Sequence, residues 1–245
     1  MIYGWKKDLP DQRDVKFTYQ VMPLPEKVDL RPEMPPVYNQ GLLGSCTANA
    51  GGASFAYMHK KLEDLLFMPS RLFIYYNTRR LDGTIKYDAG STIRATMKAM
   101  AKYGAPQEIL WPYEIEKFKA KPAATVYADG KKNLVTQYLR VPQTEAGIKT
   151  SLAQGFPIVF GFSVYESFEA PEVIQTGVAK MPTLEESLVG GHAVMIVGYD
   201  DAEKMFIVRN SWGEQWGDKG YFYMPYEYVL HRELSADFWT IRIVI

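Results

Sequence analysis

Apolar residues along the chain follow two different spacings. Between Ser45 and Tyr103 they recur every three to four residues, the period of a helix that buries one face. This predicts three helices, from Ser45 toward Leu65, from Ser70 to Arg80 and from Ser91 to Tyr103. Ser45 is a good cap for the first, and Gly104 is a natural stop for the third, two residues before Pro106. The small residues Ala48, Ala50, Gly51, Gly52 and Ala53 predict that the first helix packs closely on another element despite the cost of two glycines. Thr144 to Gln154 reads as a further helix, closed by Gly155. The spacing then changes: 157–164, 192–199, 205–209, 221–224 and 238–244 are short, apolar and β-branched or aromatic, and predict strands. Residues 1–36 carry six prolines and neither period, so they are expected to run extended over the surface. A run of helices followed by a run of strands argues an α+β fold, arranged as two lobes whose shared cleft holds the site.

Composition narrows the function. The 245 residues suffice for one large domain or two small lobes, and 28 basic side chains balance 28 acidic ones. With no basic stripe interleaved with aromatics and no glycine-rich phosphate loop, no nucleic-acid or nucleotide partner is expected. The longest apolar stretch, Ala193 to Val197, is far short of the ~18 residues that span a bilayer, so no membrane partner is expected. A single cysteine forbids an internal disulfide, and together with the absence of an apolar signal segment this favours a cytoplasmic location. It also means that any thiol chemistry belongs to Cys46.

Cys46 falls at the first turn of its helix, where unpaired N–H groups and the helix dipole favour a thiolate. An imidazole beside it would favour the anion much more strongly. Of three histidines, His59 lies on the same helix about 20 Å away, and His231 follows an irregular aromatic stretch. His192 follows two glycines and opens the apolar run Ala-Val-Met-Ile-Val, a rigid place for a base. Its ring needs a partner to hold it, and Asn210, at the end of a strand and before two tryptophans, is the best candidate. The backbone N–H of Cys46 and the side-chain amide of Gln40 can serve as oxyanion donors. Zinc would need three or four ligands where Cys46 and His192 supply two, so no metal or cofactor is expected.

Three segments carry a resemblance. Asn39-Gln-Gly-Leu-Leu-Gly-Ser-Cys-Thr-Ala-Asn-Ala resembles the active-site segment of the papain family of cysteine peptidases, Gln-Gly-x-Cys-Gly-Ser-Cys-Trp-Ala. Gly191-His-Ala-Val-Met-Ile-Val-Gly-Tyr is similar to that family's histidine strand, and Arg209-Asn-Ser-Trp-Gly-Glu-Gln-Trp-Gly to its asparagine turn. All three stand in the family's order. Each residue alone has a plainer reading: a buried structural thiol, a core histidine, a turn-forming asparagine. The ordered set outweighs them.

The resemblance implies a helical left lobe, about 37–112, and a β-barrel right lobe, about 113–245 with 25–36, together forming a catalytic domain over 25–245. It implies Cys46 as nucleophile, His192 as base and acid, Asn210 as its orienting group and Gln40 as oxyanion donor. It further implies Trp212 as cover for the His192–Asn210 bond, Trp216 on the leaving-group side, Gly90 on a substrate-binding edge and Ala193 lining the main side-chain pocket. Leu43 and Thr47 stand where animal and plant members have a cysteine and a tryptophan, which places the chain nearer the disulfide-free microbial branch. Residues 1–24 resemble the short leader of bacterial relatives, an autoinhibitory strap that Trp5 and Leu9 are expected to pin near the cleft. The expected protein is a monomer hydrolysing peptide bonds through an acyl-enzyme. Two other readings stay open on sequence: an acyl transferase that makes or trims amides, and a weakly active peptide-binding module.

Overall fold

Residues 2–245 are described by a computed structural model. Helix α1 (Cys46–Glu63) is buried at every position from Cys46 to Met58, so it runs through the protein rather than along its surface. Its small residues make that possible: a Cβ on Gly51 would lie 2.8 Å from Thr96 of α3 (Ile93–Tyr103). Helix α2 (Arg71–Asp82) and α3 pack on each other and on α1. Their N-termini are capped by side chains, Ser70 Oγ accepting from Phe73 N and Thr92 Oγ1 from Ala95 N. These three helices stand where the apolar spacing predicts them, within a few residues. Helix α4 (Ala124–Gly130) is too short to show a period and was not predicted; α5 (Glu145–Ala153), capped by Thr144, was. Helices α6 (Pro171–Thr176) and α7 (Tyr226–Leu230) are single turns or little more.

All the strands join one antiparallel sheet: β1 (Lys27–Asp29), β2 (Val135–Arg140), β3 (Ile158–Tyr165), β4 (Leu188–Asp200), β5 (Met205–Arg209), β6 (Tyr221–Pro225) and β7 (Ser235–Val244). The order is β2-β7-β3-β4-β5-β6, with β1 added on β4. The expected barrel is not closed, because β2 and β6 do not pair. Each edge has another cover: β2 packs against α3 and bridges Lys16 through Arg140, while Tyr223 of β6 bridges Val178. These contacts cover part of each edge and limit how far it is open to pairing.

Helices and sheet share a core in which Phe55 and Met58 of α1 meet Met195 and Val197 of β4 and Trp239 of β7. A second cluster fills the far face of the sheet with stacked aromatics. Phe222 is fully buried there and touches the rings of Phe162, Phe168 and Trp216, the last of which supports the asparagine turn. Replacing Phe222 by alanine is expected to cost about 3–5 kcal/mol, read as a lowered urea midpoint. A midpoint unchanged from wild type would mean that this cluster does not carry the sheet.

Candidate active site

The loop leading to α1 is held from several sides. Arg71 of α2 is sandwiched between the rings of Tyr38 and Tyr113, bonds Glu108 at 2.6 Å and reaches Asn49 of α1. Tyr113 donates to the carbonyl of Gln40, and Gln40 N donates to Ser211 O at 2.8 Å, tying the loop to the turn after β5. Asp88 accepts from Gly44 N, two residues before Cys46. The Gln40 side chain is oriented by Ser211, whose hydroxyl donates to Oε1 at 2.7 Å and so directs Nε2 to the other side.

His192 lies in the middle of the sheet on β4, opposite Phe162 of β3, and is fully buried. Its Nε2 is 2.8 Å from Asn210 Oδ1. A carbonyl oxygen can only accept, so the proton sits on Nε2 and Nδ1 carries the lone pair. The indole of Trp212 stacks on the imidazole at 4.7 Å and 20°, and Trp216 stands edge-on behind Trp212 at 5.1 Å. The other two histidines are elsewhere: His59 stacks on Phe67, and His231 is exposed.

Cys46 is the first residue of α1 and is fully buried. Backbone N–H groups of Ala193, next to His192, and of Gly4, Thr47 and Cys46 itself lie near enough to the sulfur to favour its anion, though none makes a hydrogen bond to it among the described residues. His192 Nδ1 is buried and has no hydrogen-bond partner among the described residues, the thiol included.

Gly4 belongs to the N-terminal segment, which does not simply run over the surface. Residues 3–6 lie along the cleft, tied to it through one isolated bridge at Trp5. Ser91 N donates to Gly4 O at 2.7 Å and Lys6 N to Ser91 O at 2.9 Å, a parallel bridge, while Trp5 N donates to Gly191 O at 3.0 Å. The ring of Tyr3 meets His192 and Trp212 edge-on. The carbonyl of Ile2 accepts from Gln40 Nε2 at 3.3 Å. Gly90 adopts a left-handed backbone (φ 64°), and a Cβ on it would fall 2.1 Å from Gly4 O. The segment needs glycine at both places, since a Cβ on Gly4 would lie 1.9 Å from the carbonyl of Gly44. Ala193 is fully buried, in register with Gly161.

Farther along, the segment is clamped by charge. Asp8 is buried and accepts from Trp239 Nε1 at 2.9 Å and Arg94 N at 3.2 Å, and its own N–H donates to Asp237. Asp14 pairs with Arg94 at 2.6 Å and Arg140 at 3.2 Å, and both members of the Asp14–Arg94 pair are nearly buried. Breaking such a pair typically costs about 3–5 kcal/mol. Of the two residues expected to pin the segment, Trp5 is seated. Leu9 is 81% exposed and contributes only its carbonyl, to Arg94. Asp8, Asp14 and Asp237 do what was expected of Leu9. A buried carboxylate and its partners lie far apart in sequence, and no local pattern reveals them.

A family model described as "Papain family cysteine protease" matches residues 24–235. The chain belongs to the papain family of cysteine proteases. It is similar to an uncharacterized peptidase C1-like protein of Acanthamoeba polyphaga mimivirus, with 41% identity covering 99% of this chain and 87% of that one. It is also similar to the crystal structure of xylellain, a cysteine protease from Xylella fastidiosa, at 41% identity and a TM-score of 0.92, covering 99% of this chain and 96% of the other. The digestive procathepsin L 3 of Tenebrio molitor larval midgut, 18% identical over 94% of this chain and 75% of its own, shares the fold with a TM-score of 0.75. The protein is thus a cysteine peptidase, a hydrolase acting on peptide substrates.

In this covered state the electrostatics oppose a thiolate. Burial pushes the Cys46 thiol up to about 11, against the pull of the surrounding N–H groups. Burial likewise takes His192 down to about 4, with the Asn210 bond acting weakly the other way. The helix N-terminus expected to favour the anion is present, but desolvation outweighs it. Thiol and imidazole are both neutral between those two values. Iodoacetamide is therefore expected to alkylate Cys46 of the native chain at pH 7 about two orders of magnitude more slowly than a free cysteine of pKa about 8.5, with the rate climbing toward pH 11. Alkylation at the free-thiol rate, followed by mass spectrometry, would contradict the covered geometry.

Proposed function

We propose that Cys46, His192, Asn210 and Gln40 carry out the hydrolysis and that the N-terminal segment, residues 1–24, holds the peptidase inactive by occupying the substrate's place. The observation that carries this reading is that the segment's own backbone meets each group a substrate would need. The Ile2 carbonyl takes the Gln40 amide, Gly4 to Lys6 pair with Ser91 and with the Gly191 carbonyl, and Gly4 packs against Gly90 and the Gly44 carbonyl two residues before Cys46.

With the segment displaced, water and substrate reach the pair and the desolvation that keeps it neutral is relieved. Nδ1 of His192 takes the thiol proton, and the thiolate attacks the substrate carbonyl carbon. The resulting oxyanion accepts from Gln40 Nε2, in the place of the Ile2 carbonyl, and from the N–H of Cys46. The imidazolium then gives its proton to the departing amine, leaving a thioester. Water attacks the thioester with His192 as base, which releases the acid and restores the thiol. Asn210 holds the ring through Nε2 in both protonation states, and Trp212 shields that bond on one face. Trp216 acts through Trp212, and Gly90 and Ala193 shape the substrate track.

Gly4→Ala tests self-inhibition without altering any residue of the cleft. The added methyl collides with the Gly44 carbonyl, so the full-length variant is expected to cleave a fluorogenic peptide at least about tenfold faster than wild type and to react faster with a cysteine-directed epoxide. In the Gly4→Ala background, Cys46→Ala and His192→Ala are expected to abolish turnover. Gln40→Ala should lower kcat by about 10²–10³. Equal activity of Gly4→Ala and wild type would remove the inhibitory role, and full activity of His192→Ala would remove the catalytic assignment.

A further inference from the structure

The loop that carries Gln40 and Cys46 turns at the peptide unit between Leu43 and Gly44, and both ends of that unit are occupied. Its carbonyl, Leu43 O, accepts from Gln40 Nε2 at 3.0 Å and from Ser45 N at 2.8 Å. Its N–H, Gly44 N, donates to the two oxygens of Asp88 at 3.1 and 2.9 Å. Asp88 comes from another part of the chain, the connection between α2 and α3.

The carbonyl end bears on the chemistry. A side-chain amide has two N–H groups and one carbonyl oxygen. Ser211 Oγ holds Gln40 Oε1 at 2.7 Å, and Leu43 O takes one N–H. The second N–H is left for Ile2 O at 3.3 Å, the place given above to the oxyanion. The donor is thus aimed by two partners, one of which is a main-chain carbonyl. Turning that peptide unit over would change ψ of Leu43 and φ of Gly44, and glycine accepts either sign of φ. Apart from the local bond to Ser45 N, the carbonyl therefore depends on what holds the N–H at its other end.

Asp88 is well placed to hold it. Its carboxylate accepts from the Tyr75 hydroxyl, which in turn accepts from Gly90 N at 3.1 Å. Arg79 lies on the Tyr75 ring at 4.2 Å and donates to the carbonyls of Ile85 at 2.8 Å and Tyr87 at 3.0 Å, fixing the backbone that leads into Asp88. Tyr75 and Arg79 are both fully buried. The chain of bonds Gly44–Asp88–Tyr75–Gly90 joins the Gln40 loop to the edge on which Gly4 lies.

We infer that Asp88 is a positioning residue of the peptidase: by holding the N–H of the Leu43–Gly44 peptide unit, it keeps Leu43 O on the Gln40 amide and aims the free amide N–H at the oxyanion. The inference rests on Gln40 being an oxyanion donor, as proposed above. The effect of Asp88 passes through Gln40, and it concerns the transition state rather than substrate binding.

The test is a double-mutant cycle in the full-length Gly4→Ala chain, read on a fluorogenic peptide. Asp88→Ala is expected to lower kcat about tenfold or more with KM nearly unchanged, the mark of an interaction made in the transition state. Asp88→Asn keeps an oxygen for Gly44 N and should retain most of the activity. Added to Gln40→Ala, which removes the donor that Asp88 aims, Asp88→Ala should change kcat by no more than about twofold. Asp88 lies on an exposed turn, so these chains are expected to fold, and urea midpoints taken on each identify any loss due to unfolding. Parental kcat in folded Asp88→Ala, the same loss with and without Gln40, or an equal loss in Asp88→Asn would each overturn the role of Asp88 and leave Gln40 standing. Parental kcat in Gln40→Ala would instead remove the oxyanion reading, and the inference with it.

Discussion

At Gly4 one main chain is pressed against several others. Its carbonyl bonds Ser91 N, its α-carbon leaves no space for a Cβ beside the Gly44 carbonyl, and its N–H is one of those that favour the Cys46 anion. Contacts of this kind are possible only where side chains are absent on both sides, and glycine stands at positions 4, 44 and 90. The covering of the thiol and the neutral state of the thiol–imidazole pair both follow from that close approach.

The covering also explains why the thiol does not behave as its place on α1 suggests. A helix N-terminus contributes about 0.3–1 kcal/mol to an exposed anion and up to about 2 in favourable settings. Complete burial can shift a pKa by 3–5 units, each about 1.4 kcal/mol. With protein backbone rather than solvent over the sulfur, desolvation wins, and the imidazole is driven to its neutral form for the same reason. In the proposed mechanism the same two side chains form an ion pair once the cover is displaced and water reaches them.

Much of this was legible in the chain. Helices α1 to α3 followed from apolar spacing and their caps, because each buries a long face and ends at a recognisable stop. The candidate catalytic residues were legible because nucleophile, base and orienting amide each sit in a motif with its own local logic. The open sheet was not, since strand patterns show which face is buried but not whether the outer strands meet. The start of β4 was missed at Leu188 because Gly190-Gly191 reads as a turn. In the structure those glycines stay extended and leave room for Tyr3 and Trp5. Leu9 was expected to help pin the segment because the segment resembles a bacterial leader, yet Leu9 is exposed and the segment's ties there are buried carboxylates.

Those carboxylates give the segment a different character from a hydrophobic plug. Asp8, Asp14 and Asp237 share Arg94 and Arg140, so the holding energy is spread over a network in which each arginine serves more than one acid. Two of the three acids leave with the segment, while Asp237 and both arginines remain. In the proposed self-inhibited state the segment is therefore held by paired charge, and its release would separate Asp8 and Asp14 from Arg94 and Arg140 rather than uncover an apolar face.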